Sequence, residues 1–111
     1  DEPQVGDGCV PIVPVVTVPN KVLVRFHGRN RAGWQNTGQA NWRDVRYHYR
    51  YNQAELKEWA VRVQELAAQA EQVIVLFNNN SQGDAVPNAR ELIKLLGIQY
   101  GDLAPRQLEW F

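Results

Sequence analysis

Two short runs of apolar residues along the chain predict two buried β-strands. The first run covers 22–27 and is interrupted by Arg25 before it ends at His27, and the second covers 73–77 and is apolar throughout. Apolar residues on both faces are typical of strands that are covered on both sides, as in a parallel sheet. Each strand is followed abruptly by polar residues, "HGRN" for the first and "NNNS" for the second.

Two further segments show apolar residues at spacings of three and four, which is typical of an amphipathic helix. The first follows Asn52, which forms a capping-box pattern with Glu55, and continues for about five turns. Three of its side chains are expected to be buried against the sheet: Trp59, Val63 and Leu66. The second helix follows Asp84, a possible cap, and is expected to end at Gly97 in the left-handed conformation.

The remaining segments are predicted to be irregular. Residues 1–20 contain four of the six prolines, which lack a backbone donor, so they predict a proline-rich lead-in packed on the body rather than a central strand. Residues 30–51 predict a long polar loop, and such a loop in a compact domain usually either has a function or is disordered. Within it, Tyr47, Tyr49 and Tyr51 form either a short strand or three rings that pack the loop down.

The order strand, loop, helix, strand, loop, helix predicts an α/β fold of βα units with a parallel sheet. In such folds, ligands bind beyond the carboxyl ends of the strands. The polar residues after the two strands are therefore expected to lie at one rim of the sheet. Because side chains alternate along a strand, only one of Asn78 and Asn79 can point to a ligand, and the other is expected to hold the loop.

Length and composition predict a folded domain. The chain has 111 residues, of which 44% are hydrophobic and 22% are charged. No apolar stretch approaches the roughly 18–20 residues of a membrane span, and the opening "DEPQVGDG" lacks the features of a signal peptide. The lone Cys9 excludes an intrachain disulfide and a thiolate metal cluster, and no zinc-binding spacing is present. A cytoplasmic location is the simplest expectation.

The charge is unevenly distributed, although the net charge is zero. Residues 21–50 contain seven basic residues against one acid, Asp44, which is a balance of +6. This stretch either forms a surface that meets anions or is a solvated loop whose arginines pair with acids elsewhere in the fold. Trp34 and Trp42 in the same stretch either stack on a ligand or pack the loop.

Several motifs in a fixed order resemble a known family. They are "VRFHGRN", "YHYRYNQAELKEWA", "VIVLFNN", "GDAVPNARELIKLL" and "PRQLEWF", preceded by "DEP" and "VPIVPVVT". Together they resemble the carboxyl-terminal part of the DUF72 family (UPF0759, YecE-like proteins). The resemblance implies the carboxyl-terminal portion of a TIM-type (β/α)8 barrel, with parallel strands and covering helices. It implies strands six to eight, with strand six represented only by its end, Asp1–Glu2.

The resemblance implies a fold and a site but no reaction, because the family has no established activity. The chain also departs from the family at Asn80, where a His or another residue often stands; if that position takes part in the family's chemistry, an acid–base group is missing here. A (β/α)8 barrel takes roughly 250 residues. Residues 1–111 are therefore expected to be a single incomplete domain, with the remainder of the barrel supplied by a missing segment or by a second chain.

Three residues are candidates for acid–base catalysis at the rim. His27 is either a general acid or base or a hydrogen-bonded structural residue at a strand end. Asp1 and Glu2 are the carboxylates expected at the mouth, and they could act as a general base or as metal ligands; no metal is predicted.

Three further residues are candidates for substrate binding. Arg29 either holds a phosphate or carboxylate or forms a structural ion pair with Asp1 or Glu2. Asn78 and Asn79 either orient a ligand or tie down the loop backbone.

The leading hypothesis is an enzyme that acts by acid–base chemistry on a small anionic or polyhydroxylated substrate. No cofactor is identified. The alternatives are a non-catalytic nucleic-acid-binding module that uses residues 21–50, and an inactive fragment of a barrel.

Overall fold

The computed structural model describes residues 1–35, 38 and 40–99, which contain two β-strands and four helices. In chain order the elements are β1 (Lys21–Phe26), α1 (Arg31–Gln35), α2 (Trp42–Arg46), α3 (Gln53–Ala67), β2 (Gln72–Phe77) and α4 (Ala85–Leu96). No helix in this part of the chain is both long enough and apolar enough to cross a bilayer.

The two strands are neighbours in one parallel sheet, as predicted. Their register runs from Lys21 opposite Gln72 to Phe26 opposite Phe77. One face of the sheet packs against α3 and α4, and Phe26 on that face is fully buried. The expectation that both faces are covered is wrong for the described chain, because the opposite face is exposed. Its apolar side chains are Leu23, Ile74 and Leu76, with exposed fractions of 55%, 38% and 45%.

Helix α3 supplies most of the core and confirms the predicted helix and its cap. The Asn52 side chain accepts a hydrogen bond from the Glu55 N–H at 2.9 Å, and the Glu55 carboxylate accepts one from the Asn52 N–H at 3.0 Å. The residues at spacings of three and four are buried, as expected: Leu56, Trp59, Ala60, Val63 and Leu66. The Trp59 ring lies 4.9 Å from the Phe26 ring, centroid to centroid, so the helix is anchored directly on β1.

Helix α4 begins and ends as predicted, but Asp84, the residue before it, does not cap the helix with its side chain. Gly97 adopts a φ of 65°, the left-handed conformation that favours glycine at a helix end. The Asp84 side chain makes no capping hydrogen bond. Its carboxylate instead accepts a hydrogen bond from Nε of Arg50 at 2.7 Å, because the segment before α3 passes close to the start of α4.

The long loop predicted over 30–51 contains two short helices, α1 and α2, and no strand forms among its tyrosines. The Asn30 side chain accepts a hydrogen bond from the Gly33 N–H and donates to the Val45 carbonyl, which holds α1 against α2. A Cβ atom on Gly33 would lie 2.7 Å from that carbonyl oxygen, so the close approach requires glycine. The alternative in which rings pack the loop is confirmed by Tyr51, which is buried in the core.

The lead-in is irregular, as predicted, and it contacts the sheet at both of its ends. Asp1 pairs with the edge of β1: its N–H donates to the Arg25 carbonyl, and its carbonyl accepts from the His27 N–H. At the other end, the Pro19 carbonyl accepts from the Glu71 N–H at 2.9 Å. The expected packing holds only in part, because most of the valines between these contacts are exposed.

Candidate functional site

A cleft of about 340 Å³ runs along the edge of β1 from Val22 to His27, and its polar part lies at the carboxyl end of the strand. Its polar lining comes from Asp1, Glu2, Arg25 and His27, and residues 10–15 form an apolar wall along the edge of the strand. The cleft is positioned by the sheet, because Asp1 extends the hydrogen-bonding ladder of β1 at the level of His27. Of the residues expected at this rim, Asp1, Glu2 and His27 line the cleft, whereas Arg29, Asn78 and Asn79 do not.

His27 is held in a partly dry environment. Its ring packs against Trp34 and Tyr47, with centroid separations of 6.3 Å and 5.8 Å. Its Nδ1 atom is buried and has no hydrogen-bond partner among the described residues. Burial, helped by the positive charge of Arg25, lowers the pKa of His27 below its usual value. The imidazole is therefore neutral at neutral pH and can accept a proton or a hydrogen bond.

Arg25 joins the ends of the two strands. Its Nε donates a hydrogen bond to the Asn78 side-chain oxygen at 3.2 Å, and both residues are on the exposed face of the sheet. Arg25 was not among the binding residues predicted from sequence, where it was only an interruption in an apolar strand. The alternation of side chains along the strand could have identified Arg25, because Arg25 and His27 are two positions apart and therefore share a face.

Glu2 holds the wall of the cleft in place. One of its carboxylate oxygens accepts a hydrogen bond from the Val10 N–H at 2.6 Å. The main chain of residue 2 also accepts from the side chain of Gln4, which in turn donates to the Val10 carbonyl. Glu2 thus lies in the cleft, as expected, with part of its hydrogen-bonding capacity used for structure.

Arg29 and Asp1 form the ion pair that the sequence left as an alternative to ligand binding. Nε and Nη2 of Arg29 donate to the two Asp1 carboxylate oxygens at 2.7 Å and 3.1 Å. Nη1 of Arg29 donates to the Glu55 carboxylate at 3.0 Å. The Asp1 side chain is 1% exposed, so its carboxylate is enclosed by its partners although the residue borders the cleft. The structure does not bring Arg29 into the cleft lining.

Two tyrosines complete this ion-pair network, although the sequence predicted for them only a short strand or a packing role. The Tyr51 hydroxyl donates to Asp1 and accepts from the Gly28 N–H, each at 2.9 Å. The Tyr49 hydroxyl donates to the Glu55 carboxylate. Burial and this hydrogen bond raise the pKa of Tyr49 to about 12, and burial also raises the pKa of Tyr51. Both phenols therefore remain protonated donors.

Asn79 holds the loop, which confirms the prediction that one of the two asparagines would have this role. Its side chain is fully buried and donates at 2.9 Å to the Tyr49 carbonyl and to the Asn88 side-chain oxygen. Asn88 in turn bonds the N–H and the carbonyl of Tyr51. Asn78 is the asparagine left on the exposed face, beside Arg25.

Gly28 allows the turn after β1 to pass close to the tyrosine segment. It has a φ of 92°, and a Cβ atom there would lie 2.8 Å from Cβ of Tyr49. Both the backbone conformation and the close approach favour glycine.

The basic stretch 21–50 is partly neutralised by ion pairs. Arg29 binds Asp1 and Glu55, and Arg50 binds Asp84. Other arginines stack on indoles instead: the guanidinium carbon of Arg46 lies 3.7 Å from the Trp34 ring centroid, and that of Arg43 lies 4.4 Å from the Trp42 ring centroid. Both tryptophans therefore pack the loop.

Comparison with known proteins identifies the family. The family model described as protein of unknown function DUF72 matches residues 1–110. The chain belongs to this family. A curated relative, the UPF0759 protein YunF of Bacillus subtilis (strain 168), is 56% identical over 112 residues, which cover 100% of this chain and 40% of YunF.

Solved structures of DUF72 proteins share the fold of this chain. A DUF72 family protein of Enterococcus faecalis V583 aligns with a TM-score of 0.87 and 48% identity, over 97% of this chain and 39% of that one. A DUF72 family protein of Thermotoga maritima MSB8 aligns with a TM-score of 0.75 and 35% identity, over 88% of this chain and 35% of that one. The chain therefore spans about 40% of the length of these relatives.

The polar lining of the first cleft combines nitrogen groups with carboxylates. Among residues 1–35, 38 and 40–99, no three His, Cys, Asp or Glu side chains converge on a point where they could hold a metal ion. What the cleft presents is one neutral imidazole, one guanidinium and the Glu2 carboxylate. This combination suits hydrogen bonding to an anionic or hydroxyl-rich molecule and transfer of a proton.

Proposed function

We propose that the cleft at the carboxyl end of β1 binds a small anionic or polyhydroxylated molecule, and that His27 acts there as the general acid or base. The observation that carries the proposal is the position of His27, a partly buried imidazole at the rim of a cleft and beside Arg25. A neutral imidazole near neutral pH is the form that a general base requires.

The other rim residues have distinct roles in this proposal. Arg25 binds the anionic or hydroxyl group of the substrate, because its guanidinium is exposed at the cleft and its orientation is set by Asn78. The Glu2 carboxylate accepts a hydrogen bond from a hydroxyl group of the substrate. Asp1 and Arg29 position the rim rather than touch the substrate, because their charged groups are already paired with each other and with Glu55.

We also propose that the chain is the carboxyl-terminal portion of a TIM-type (β/α)8 barrel. The exposed face of the sheet is then the barrel interior, closed by the remainder of a longer chain or by a second chain. Two observations support this: the chain spans about 40% of the length of its relatives, and Asp1 pairs with the free edge of β1 as the end of a neighbouring strand would. Substrates would then enter at the carboxyl ends of the strands.

The two histidines of the chain allow a direct test by NMR. His27 lines the cleft and His48 is exposed elsewhere, so the ring resonances of His48 serve as an internal control. Titration with inorganic phosphate or with glucose, as anionic and polyhydroxylated probes, is expected to shift the His27 resonances in a saturable way and to leave those of His48 in place. Unchanged His27 resonances with both probes would contradict the proposal.

Matched variants separate binding from folding. Asn78→Ala and Arg25→Gln are expected to remove the His27 response while the protein keeps its folded spectrum, because both side chains are exposed. Asn79→Ala, by contrast, is expected to destabilise the fold, since it removes a fully buried amide that bonds the loop. If Asn78→Ala and Arg25→Gln leave the titration unchanged, the rim residues do not bind the ligand.

A second candidate function is nucleic-acid binding by the basic stretch. Lys21, Arg31 and Arg43 are exposed and have no carboxylate within 4 Å in the described part of the chain, and Arg43 stacks on Trp42. Salt dependence distinguishes the two functions. Binding to an oligonucleotide would weaken steeply as salt is raised, since counterions are released from phosphates, whereas the response of a small neutral ligand such as glucose would change little.

A further inference from the structure

A second cleft, of about 260 Å³, lies between residues 5–9 and the pair of short helices α1 and α2. The Cys9 N–H donates to the Gly6 carbonyl at 3.2 Å and closes the turn on one side. Trp34 and Arg46 stand on the other side. This second cleft shares no lining residue with the cleft at the end of β1, so it is a separate site.

Arg46 gives the second cleft a positive charge. None of the residues that line this cleft is acidic, and no carboxylate in the described part of the chain lies within 4 Å of Arg46. Asp7 belongs to the same turn but is exposed and does not line the cleft. A cation in a concave site whose described lining contains no acid attracts an anion.

The guanidinium of Arg46 also lies over an aromatic ring. Its central carbon lies 3.7 Å from the centroid of the Trp34 ring and 6.0 Å from that of Tyr47. Nε of Arg46 and Nε1 of Trp34 are buried and have no hydrogen-bond partner among the described residues. The buried Nε is not open to a ligand, so the two terminal nitrogens of the guanidinium are the donors left for one, and the two oxygens of a carboxylate match them.

We propose that the second cleft binds a small planar organic carboxylate, with Arg46 holding the carboxylate group and Trp34 forming part of the wall. The cleft contains one cation, which matches a single negative charge. Its volume is below the ~300–1,000 Å³ of pockets for drug-sized ligands, so it suits a molecule with one ring. This proposal does not depend on the function proposed for His27.

Cys9 provides the readout, because it is the single cysteine of the chain and it lines the second cleft. The rate at which iodoacetamide alkylates Cys9 is measured while benzoate is titrated. Benzoate is expected to slow the alkylation in a saturable way. Benzamide, which has the same shape without the charge, and inorganic phosphate, which is not planar, are expected to protect far less. Absence of protection by benzoate, or equal protection by benzamide or phosphate, would overturn the assignment.

Variants locate the ligand in the second cleft. Arg46→Met is expected to weaken benzoate protection by about tenfold or more, the loss typical of a charge-assisted hydrogen bond. Arg43→Met is the matched control: it removes a stacked arginine from the same helix that lies outside the cleft, and it should leave protection unchanged. Arg25→Gln should also leave it unchanged, so a loss there would place benzoate in the first cleft and overturn this proposal.

Arg46→Lys keeps the proposal testable if Arg46→Met does not fold. Lysine retains the charge but loses the planar fork and the stacking on Trp34. Protection is expected to weaken by about fivefold or more, because the bidentate geometry is lost. Unchanged protection in a folded Arg46→Lys protein would show that only charge matters, and would overturn the assignment of a planar carboxylate.

Discussion

Arg29 illustrates how far a residue type alone specifies a role. From sequence, its guanidinium predicted either a ligand contact or an ion pair with Asp1 or Glu2, because both uses need the same fork of donors. The outcome depends on Asp1, whose backbone pairs with the edge of β1 and so carries its carboxylate to Arg29. Glu55, predicted only as a capping residue, also reaches Arg29. The apolar stripe of α3 predicts that the helix packs on the sheet, but it does not predict that the first turn of the helix reaches Arg29.

The first prediction concerns the stability provided by Arg29. Arg29→Met leaves the carboxylates of Asp1 and Glu55 in a site where they are 1% and 14% exposed. The free energy of unfolding is expected to fall by about 2–4 kcal/mol, slightly below the ~3–5 kcal/mol of a fully buried pair because Arg29 itself is 24% exposed.

Denaturant unfolding measures this loss, and Arg25→Met is the control. Arg25 is an exposed arginine in β1, close to Arg29 along the chain. Its removal should lower the free energy of unfolding by less than about 1 kcal/mol. Equal losses for the two variants would mean that the Arg29 network contributes no special stability.

The second prediction concerns the pH dependence of stability at His27. Burial lowers the pKa of His27 in the folded protein, so the unfolded chain binds the proton first as the pH falls. The stability is therefore present above the unfolded-state value of about 6.5 and is lost as the pH falls through the folded-state pKa. His27→Asn removes this contribution. Between pH 8 and pH 5, the free energy of unfolding should fall more steeply with decreasing pH for the unchanged chain than for His27→Asn. Parallel profiles would contradict a lowered pKa of His27 in the folded protein.

At the scale of the elements, long periodic segments were predictable and short ones were not. Helix α3 has an apolar stripe and a capping box, and both are local patterns. Helices α1 and α2 are five residues each, too short for a period to be visible. They are held instead by the Asn30 side chain and by the close contact at Gly33, which join residues far apart in the sequence. The strand–helix–strand order predicted the parallel pairing, because crossovers of this kind join parallel strands.

The third prediction tests the packing of α3 on the sheet. Trp59→Ala is expected to lower the free energy of unfolding by about 3–5 kcal/mol, because it removes a large buried ring that contacts Phe26. Val61→Ala, on the exposed side of the same helix, should change it by less than about 0.5 kcal/mol. A loss below about 1 kcal/mol for Trp59→Ala would mean that this face of the helix is not tightly packed.

At the scale of the whole molecule, the sheet has one covered face and one open face. The apolar residues on both faces of the strands led to the prediction of a sheet covered on both sides, and only the face toward α3 and α4 is covered in the described chain. The apolar side chains of the open face, Leu23, Ile74 and Leu76, are those that the proposed barrel would bury. Relatives more than twice as long leave ample chain to cover the second face.

The fourth prediction uses Ile74 and Val75, neighbours in β2 that point to opposite faces. In this chain Ile74→Lys is expected to leave the fold intact and to reduce the binding of a hydrophobic dye, because Ile74 belongs to the open face. Val75→Lys should unfold the protein, because Val75 packs against the core and a buried, unpaired ammonium is costly. Circular dichroism and dye fluorescence measure both effects.

The same Ile74→Lys change distinguishes the barrel from an open sheet when it is made in a chain of the full length of the relatives. If the additional chain closes a barrel over the open face, Ile74 is buried there, and the substitution should cost about 2–4 kcal/mol of unfolding free energy. The change is then mild in the short chain and severe in the long one. If it is mild in both, the face that carries Leu23, Ile74 and Leu76 stays open to water in the longer protein, and the proposed barrel is wrong.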